Sequence, residues 1–155
     1  MIKYLVISGG DISFFSMLGT IKELIKKKDF FDINKLEKIY GTSAGSMTGF
    51  LLSLKLDYQI IIDYFINRPW EKLLKFNSSD LLNLYNSKGL IDKELFYEVY
   101  LPLLKSCSFD ENVTLLELFN YSNIELNIYA TKMNDISLRC FNHIETPNLK
   151  VLDAL

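Results

Sequence analysis

Histidine is almost absent from this chain: His143 is the only one in 155 residues. One imidazole cannot build a multi-histidine metal site. It also leaves any nucleophile a single histidine base to draw on. Cysteine is nearly as scarce, and Cys107 and Cys140 form no C-x-x-C pair. That excludes a multi-bridge disulfide framework and fits reduced thiols in an intracellular protein, with one bridge between the two left open. No apolar stretch reaches membrane-spanning length. The Met1–Ile7 run is too short for a signal peptide and runs into glycines. The expectation is therefore a soluble, cytoplasmic protein. Neither sign of charge dominates: 17 basic residues face 19 acidic ones, a net charge of −2. Such a balance gives no reason to expect nucleic acid and no global attraction to anionic membranes. There is no G-x-G-x-x-G, no lysine-bearing P-loop and no clustered set of metal-ligand residues, so no cofactor and no metal are expected.

What remains is an ordinary globular composition, 49% hydrophobic and 23% charged. Length and the absence of a linker or repeat predict one domain over residues 1–155. Tyr4–Ile7 reads as a buried strand ending at Ser8-Gly9-Gly10. Phe14 to Lys28 has helical spacing through Leu18, Ile21, Leu24 and Ile25, with three lysines in its last turn as a solvated end. Leu36–Tyr40 reads as a second strand, completing a β-α-β unit. Ser46 to Phe65 is helical in pattern, in two pieces broken near Asp57 and stopped by Arg68-Pro69-Trp70. Asn77–Asp80 caps a short helix ending near Gly89. Leu95, Val99 and Leu103 mark another helix, strained by Pro102, with Phe96, Tyr97 and Tyr100 as core. Thr114-Leu115-Leu116-Glu117 is a capping box. Leu126, Ile128 and Ala130 alternate with Glu125, Asn127 and Tyr129 as a strand, and a turn at Asn134-Asp135 leads into a second one through Leu138 and Phe141. Thr146-Pro147 opens a last helix with Leu149, Leu152 and Leu155 as its apolar face. That face stops on the terminal residue, so the fold reads as unfinished at its C-terminal end.

The feature that carries chemistry is Gly41-Thr42-Ser43-Ala44-Gly45, set between a strand and a helix. A sharp strand-to-helix turn pushes the Ser43 hydroxyl out of the fold, and the flanking Gly41 and Gly45 remove side chains that would clash. The helix N-terminus then aims free N–H groups at a reacting carbonyl. Two hydrolase plans use such an elbow. One needs a histidine base after an acid in the chain, and only 42 residues precede Ser43, too few for the usual sheet of that plan. His143 reads instead as a surface or capping residue. The other plan is a Ser–Asp dyad, in which a carboxylate takes the serine proton.

On this plan the sequence resembles the patatin-like phospholipase family over essentially its whole length. Tyr4-Leu5-Val6-Ile7-Ser8-Gly9-Gly10 looks like that family's first strand and glycine-rich oxyanion loop. Ile39 to Ser46 closely matches its elbow, and Leu126–Phe141 with Thr146-Pro147 and Val151–Leu155 follows its later strand pair and helix. The resemblance implies an α/β fold, a mainly parallel sheet between helices in three layers, and hydrolysis of acyl esters of phospholipid or neutral lipid through an acyl-enzyme. It maps Ser43 to the nucleophile and Gly9 and Gly10 to the oxyanion loop. By the general logic of the elbow, the Ala44 N–H is a further donor. Peripheral contact with a membrane surface follows, with Phe14 and Phe15 as candidates near the cleft.

Three positions depart from the family pattern. Asp11 stands where a third glycine is usual, Ser13 where a lysine or arginine is usual, and Phe14 where a glycine is usual. The family's second dyad member lies in an Asp-Gly turn, and no Asp-Gly dipeptide occurs in the sequence. Asp153 does not match that motif. The dyad aspartate is therefore expected beyond Leu155. Other readings stay open: a non-catalytic module that binds lipid or a protein partner, an acyltransferase relying on His143, or an α/β domain with a coincidental pentapeptide.

Overall fold

The computed structural model describes residues 1–73 and 93–155. Its strands are β1 (Tyr4–Ile7), β2 (Lys38–Thr42), β3 (Glu125–Lys132) and β4 (Ser137–Phe141), in one sheet of order β1-β2-β3-β4. The first two pairings are parallel and the third is antiparallel. The described helices are α1 (Phe14–Ile25), α2 (Ala44–Ser53), α3 (Tyr58–Ile66), α4 (Trp70–Leu73), α5 (Lys93–Ser106), α6 (Leu115–Ser122) and α7 (Val151–Ala154). This is a mixed α/β architecture, as the sequence implies. The cap proposed at Asn77–Asp80 and its helix to Gly89 lie outside the described residues.

The first two crossovers step across the sheet in the same direction. Right-handed β-α-β units of that kind place their helices on one face, and α1 and α2 pack against each other there. The small residues Gly45, Gly49 and Ser53 recur every four positions along α2, one side of a helix. A side chain at Gly49 would stand 2.7 Å from Ile39 Cγ2. The helix thus lies directly on the sheet, with Phe50, Leu51 and Leu52 buried around it. Tyr4 and Val6 point from β1 to the opposite face, where Val6 is 78% exposed. Tyr40 and Tyr129 stack beside them at 6.5 Å between ring centroids.

Several boundaries differ from expectation, each for a local reason. Helix α1 stops at Ile25, and Lys26 turns back to Glu23 at 2.5 Å. The chain then tightens through Lys27 N–H to Leu24 O and Phe31 N–H to Lys27 O, burying Phe31 in the core. Strand β2 begins at Lys38, because Asp32 caps a 3₁₀ turn over Ile33–Lys35 and uses up the preceding residues. Asp57 caps α3 by accepting from Gln59 N, so the break falls where expected. Thr114 caps α6 with the reciprocal Glu117 contacts, also as expected. Strand β3 does not keep its alternation: Ala130 is exposed and Asn127 is buried. Asn127 belongs inside because it accepts from Asn142 Nδ2 at 2.9 Å. No helix starts at Thr146-Pro147. Lys150 is extended and bridges to Thr114, so only Val151–Ala154 is helical. Both cysteines are free.

Candidate active site

Ser43 sits at the C-terminal end of β2, between the strand and α2. Its backbone is at φ 51°, ψ −127°, a conformation that side-chain-bearing residues rarely adopt. Both neighbouring glycines are required by close approach. A Cβ on Gly41 would stand 2.7 Å from the Gly45 carbonyl carbon and the Ser46 nitrogen. A Cβ on Gly45 would stand 2.2 Å from the Ile7 carbonyl oxygen. The elbow therefore rests against the end of β1. Thr42 anchors its other side by donating from Oγ1 to Tyr129 O at 3.0 Å. Ser43 is exposed, and its Oγ has no hydrogen-bond partner among the described residues.

The glycine loop after β1 packs on the same elbow. A Cβ on Gly9 would meet Ser43 Cβ at 3.3 Å. Gly10 precedes a 3₁₀ turn, Asp11–Ser13, in which Asp11 has φ 41°. Ser13 Oγ donates to Gly10 O at 2.6 Å, and Ser13 N–H donates to the same oxygen at 2.8 Å. Two donors on one carbonyl fix the peptide that follows Gly10. The residue standing where the family has a cation thus clamps the loop from within.

Beside Ser43 opens a cleft of about 630 Å³, within the usual range for small-molecule sites. Its floor is Ala44 and Met47 of α2 with Phe14 of α1, and its far wall is Leu95, Phe96, Val99 and Tyr100 of α5. Phe65 and Trp70 close the side, stacked at 6.1 Å and 13°. Phe14 meets Phe65 edge-on at 5.1 Å, and Phe15 meets Trp70 edge-on at 5.7 Å. Such edge contacts hold an aromatic wall in place. Burial pushes the Tyr100 phenol far above its usual pKa, so it presents no charge. Arg68 ties the wall together from behind: it donates to Glu98 O at 2.7 Å and to Tyr64 Oη.

The sequence brought Ser43, Ala44, Gly9, Gly10, Gly41 and Gly45 to attention, and all six meet at this one place. It missed Ser13 as a clamp. It read Phe96 and Tyr100 as core, whereas both also line the cleft. Helical spacing identified them as inward-facing but could not say that the inside was hollow. Of the two phenylalanines offered for membrane contact, Phe14 is 7% exposed and Phe15 is 46% exposed.

The remaining candidates lie elsewhere. His143 is stacked on Phe119 at 3.7 Å and interacts electrostatically with Glu125 and Lys38. Those two residues open β3 and β2, so His143 is at the opposite end of the sheet from Ser43, roughly 16 Å away along the strand. Burial lowers its pKa, and its Nδ1 is buried without a partner. Asp153 accepts from Tyr97 Oη at 3.1 Å and is not among the residues lining the cleft. Among the described residues, no group of three His, Cys, Asp or Glu is placed to hold a metal, and no helix is long and apolar enough to cross a membrane.

The sequence matches the patatin-like phospholipase family over residues 5–155. The chain belongs to this family. A probable lipid hydrolase, 463L, of Invertebrate iridescent virus 6 is 27% identical over 99% of this chain and 51% of its own length. An uncharacterized protein, R571, of Acanthamoeba polyphaga mimivirus is 24% identical over 99% of this chain and 50% of its own. The chain thus spans about half the length of these curated relatives. Among solved structures, the type III effector ExoU superposes with a TM-score of 0.60 at 16% identity, over 97% of this chain and 38% of that one. ExoU bound to SpcU, from Pseudomonas aeruginosa, gives a TM-score of 0.55 at 19% identity over 99% of this chain and 37% of that one. These likenesses show the fold that this patatin-like chain shares.

Proposed function

We propose that this patatin-like chain carries the nucleophile half of a lipid acyl hydrolase. Ser43 Oγ attacks the ester carbonyl of a phospholipid or neutral lipid and forms an acyl-enzyme, which water then hydrolyses to fatty acid. The N–H groups of Gly9, Gly10 and Ala44 supply the oxyanion site, preorganised at no cost when charge develops. The carrying observation is the union of a strained, exposed Ser43 with a cleft whose described lining, apart from Asp11 and Ser43, is aromatic and aliphatic. An acyl chain fits such a lining. Ile12, 85% exposed, and Phe15 stand at the mouth, where they would meet the lipid surface.

In this reading the second dyad member is an aspartate outside these residues, and the double length of the relatives supports that. Fluorophosphonate labelling tests the nucleophile. Wild-type protein is expected to label at Ser43, and Ser43→Ala is expected to lose labelling and ester hydrolysis by more than about 10³-fold. Equal labelling of the two would remove Ser43 from the mechanism.

A second reading is a non-catalytic module that binds lipid in the same cleft. It is favoured by the absence of a hydrogen-bonded acid or base beside Ser43 Oγ among the described residues. A serine without a base is a weak nucleophile. This reading expects no labelling of wild type and unchanged lipid binding by Ser43→Ala.

A further inference from the structure

Asp11 is the one charged side chain among the described residues lining the Ser43 cleft. It is exposed, and its carboxylate has no hydrogen bond or ion pair with any described residue. It follows Gly10 directly, in the turn whose first peptide Ser13 clamps, so its backbone is held beside the elbow at φ 41°. An acidic residue tolerates that left-handed geometry better than most. Every other described residue lining the cleft is apolar or neutral, so among them Asp11 alone offers a charge.

We propose that Asp11 selects the head group: the cleft accepts lipids whose head group carries an ammonium and disfavours those that are anionic. This rests on the lipid reading of the site given above. An acyl chain drawn into the aromatic wall brings its ester to Ser43 and leaves its polar end at the mouth. Asp11 stands at that mouth. An ammonium there meets a carboxylate that no described residue pairs, whereas a head group without a cation sets the negative charge of its phosphate against that carboxylate.

The test uses monomeric short-chain lipids, dihexanoyl phosphatidylcholine and dihexanoyl phosphatidylglycerol, so that recruitment to a charged surface plays no part. Hydrolysis of each is measured with protein long enough to carry the proposed dyad aspartate, as wild type, Asp11→Asn and Ile12→Lys. Asparagine keeps the backbone geometry and removes the charge. Ile12→Lys leaves Asp11 in place and sets a cation beside it on an exposed position. Wild type is expected to prefer the choline lipid by about three- to fivefold, the scale of an exposed charge pair. The preference should shrink at about 0.5 M salt. Asp11→Asn should bring the ratio close to one, and Ile12→Lys should move it toward the glycerol lipid.

An unchanged ratio in both variants overturns the proposal. So does an equal rise in rate on both lipids in Asp11→Asn, because that would make Asp11 an opponent of the oxyanion and not a reader of head groups. Absence of Ser43-dependent turnover on either lipid counts against the hydrolase reading alone. In that case binding decides. Trp70 is the single tryptophan and lines the cleft, so its fluorescence in Ser43→Ala protein reports occupancy by either lipid. The choline preference, and its loss when Asp11→Asn is added, is expected there too. Equal binding of both lipids overturns the proposal independently of catalysis.

Discussion

The two ends of the sheet are built on opposite principles. At the end where β1 and β2 finish, backbone presses on backbone. Gly45 sits under the Ile7 carbonyl, Gly41 under α2, and Ser43 and Asp11 both hold positive φ. Thr42 and Ser13 bond backbone carbonyls there, while the side chains of Ser43 and Asp11 have no partner among the described residues. At the end where the strands begin, charges are paired, although Lys55 and Asn123 there also hold positive φ. Lys3 meets Glu37 at 2.6 Å, Lys38 meets Glu125 at 3.0 Å, and His143 lies flat on Phe119. Ion pairs gather at this end, beside the buried His143 Nδ1 that no described residue pairs, and close backbone contacts gather at the other, where chemistry is proposed. Functional sites commonly concentrate such local rule-breaking.

Glycine-to-alanine substitution gives the largest expected break in that comparison. Gly45→Ala should cost about 3 kcal/mol or more in urea unfolding, because the new methyl meets a carbonyl that cannot rotate away. Gly19 lies mid-helix in α1 with nothing within 4 Å of an added Cβ. Gly19→Ala should therefore stabilise by about 0.5–1 kcal/mol, the helix-propensity gain. If the two substitutions had similar effects, tight packing would not be what distinguishes the elbow.

Releasing the strain comes next. Ser43→Gly should raise stability by about 1 kcal/mol, since glycine accepts φ 51° freely, while fluorophosphonate labelling disappears. A loss of stability would mean that the serine side chain, and not its backbone, is what the fold accommodates. Away from the site, Thr114→Ala removes the α6 cap and should cost about 1 kcal/mol with Ser43 labelling unchanged. Altered labelling would show that the cap and the site are coupled.

The smallest effect concerns pH at the quiet end. Burial holds the His143 imidazole below its usual pKa, Lys38 adds to this, and Glu125 opposes it. The unfolded chain therefore binds a proton on His143 more readily than the folded one. Stability from this group is present above the unfolded pKa and is lost as pH falls through the lower folded value. His143→Phe should flatten the decline in melting temperature between pH 7 and about 5, while leaving the pH dependence of ester hydrolysis as it was. A changed hydrolysis profile would bring His143 back into the mechanism.

Much of this was legible in one dimension because the relevant signals are local. Tyr4–Ile7, the Thr114 capping box, the Asp57 break and the Gly41–Gly45 elbow each depend on neighbours within a few residues. The elbow could be read as chemistry because glycine at both flanks has few other uses at that spacing. What stayed hidden depends on partners far away in sequence. Asn127 alternates like a solvent-facing residue, and only Asn142 on the far side of a turn makes it buried. Lys150, extended and bridged to Thr114, delays the expected last helix to Val151. The cleft itself is a property of α5 standing off from α1 and α3. Hydrophobic spacing marks Phe96 and Tyr100 as inward-facing, yet a filled interior and an apolar hollow leave the same pattern in a sequence. Ser13 was noticed as a missing cation, and its bond to Gly10 O could be recognised only once the turn was seen.

The contact between Gly45 and Ile7 limits how the site could be transplanted. The elbow and the end of the first strand fit because a hydrogen atom occupies the place of a side chain, so neither segment can drift without the other. Any transfer of one segment must therefore carry the other. Moving Gly41–Gly45 alone into a foreign strand–helix frame would transplant a serine and leave behind the loop that Gly9 presses against it. A side chain at position 45 would break this packing whether or not the chemistry is kept.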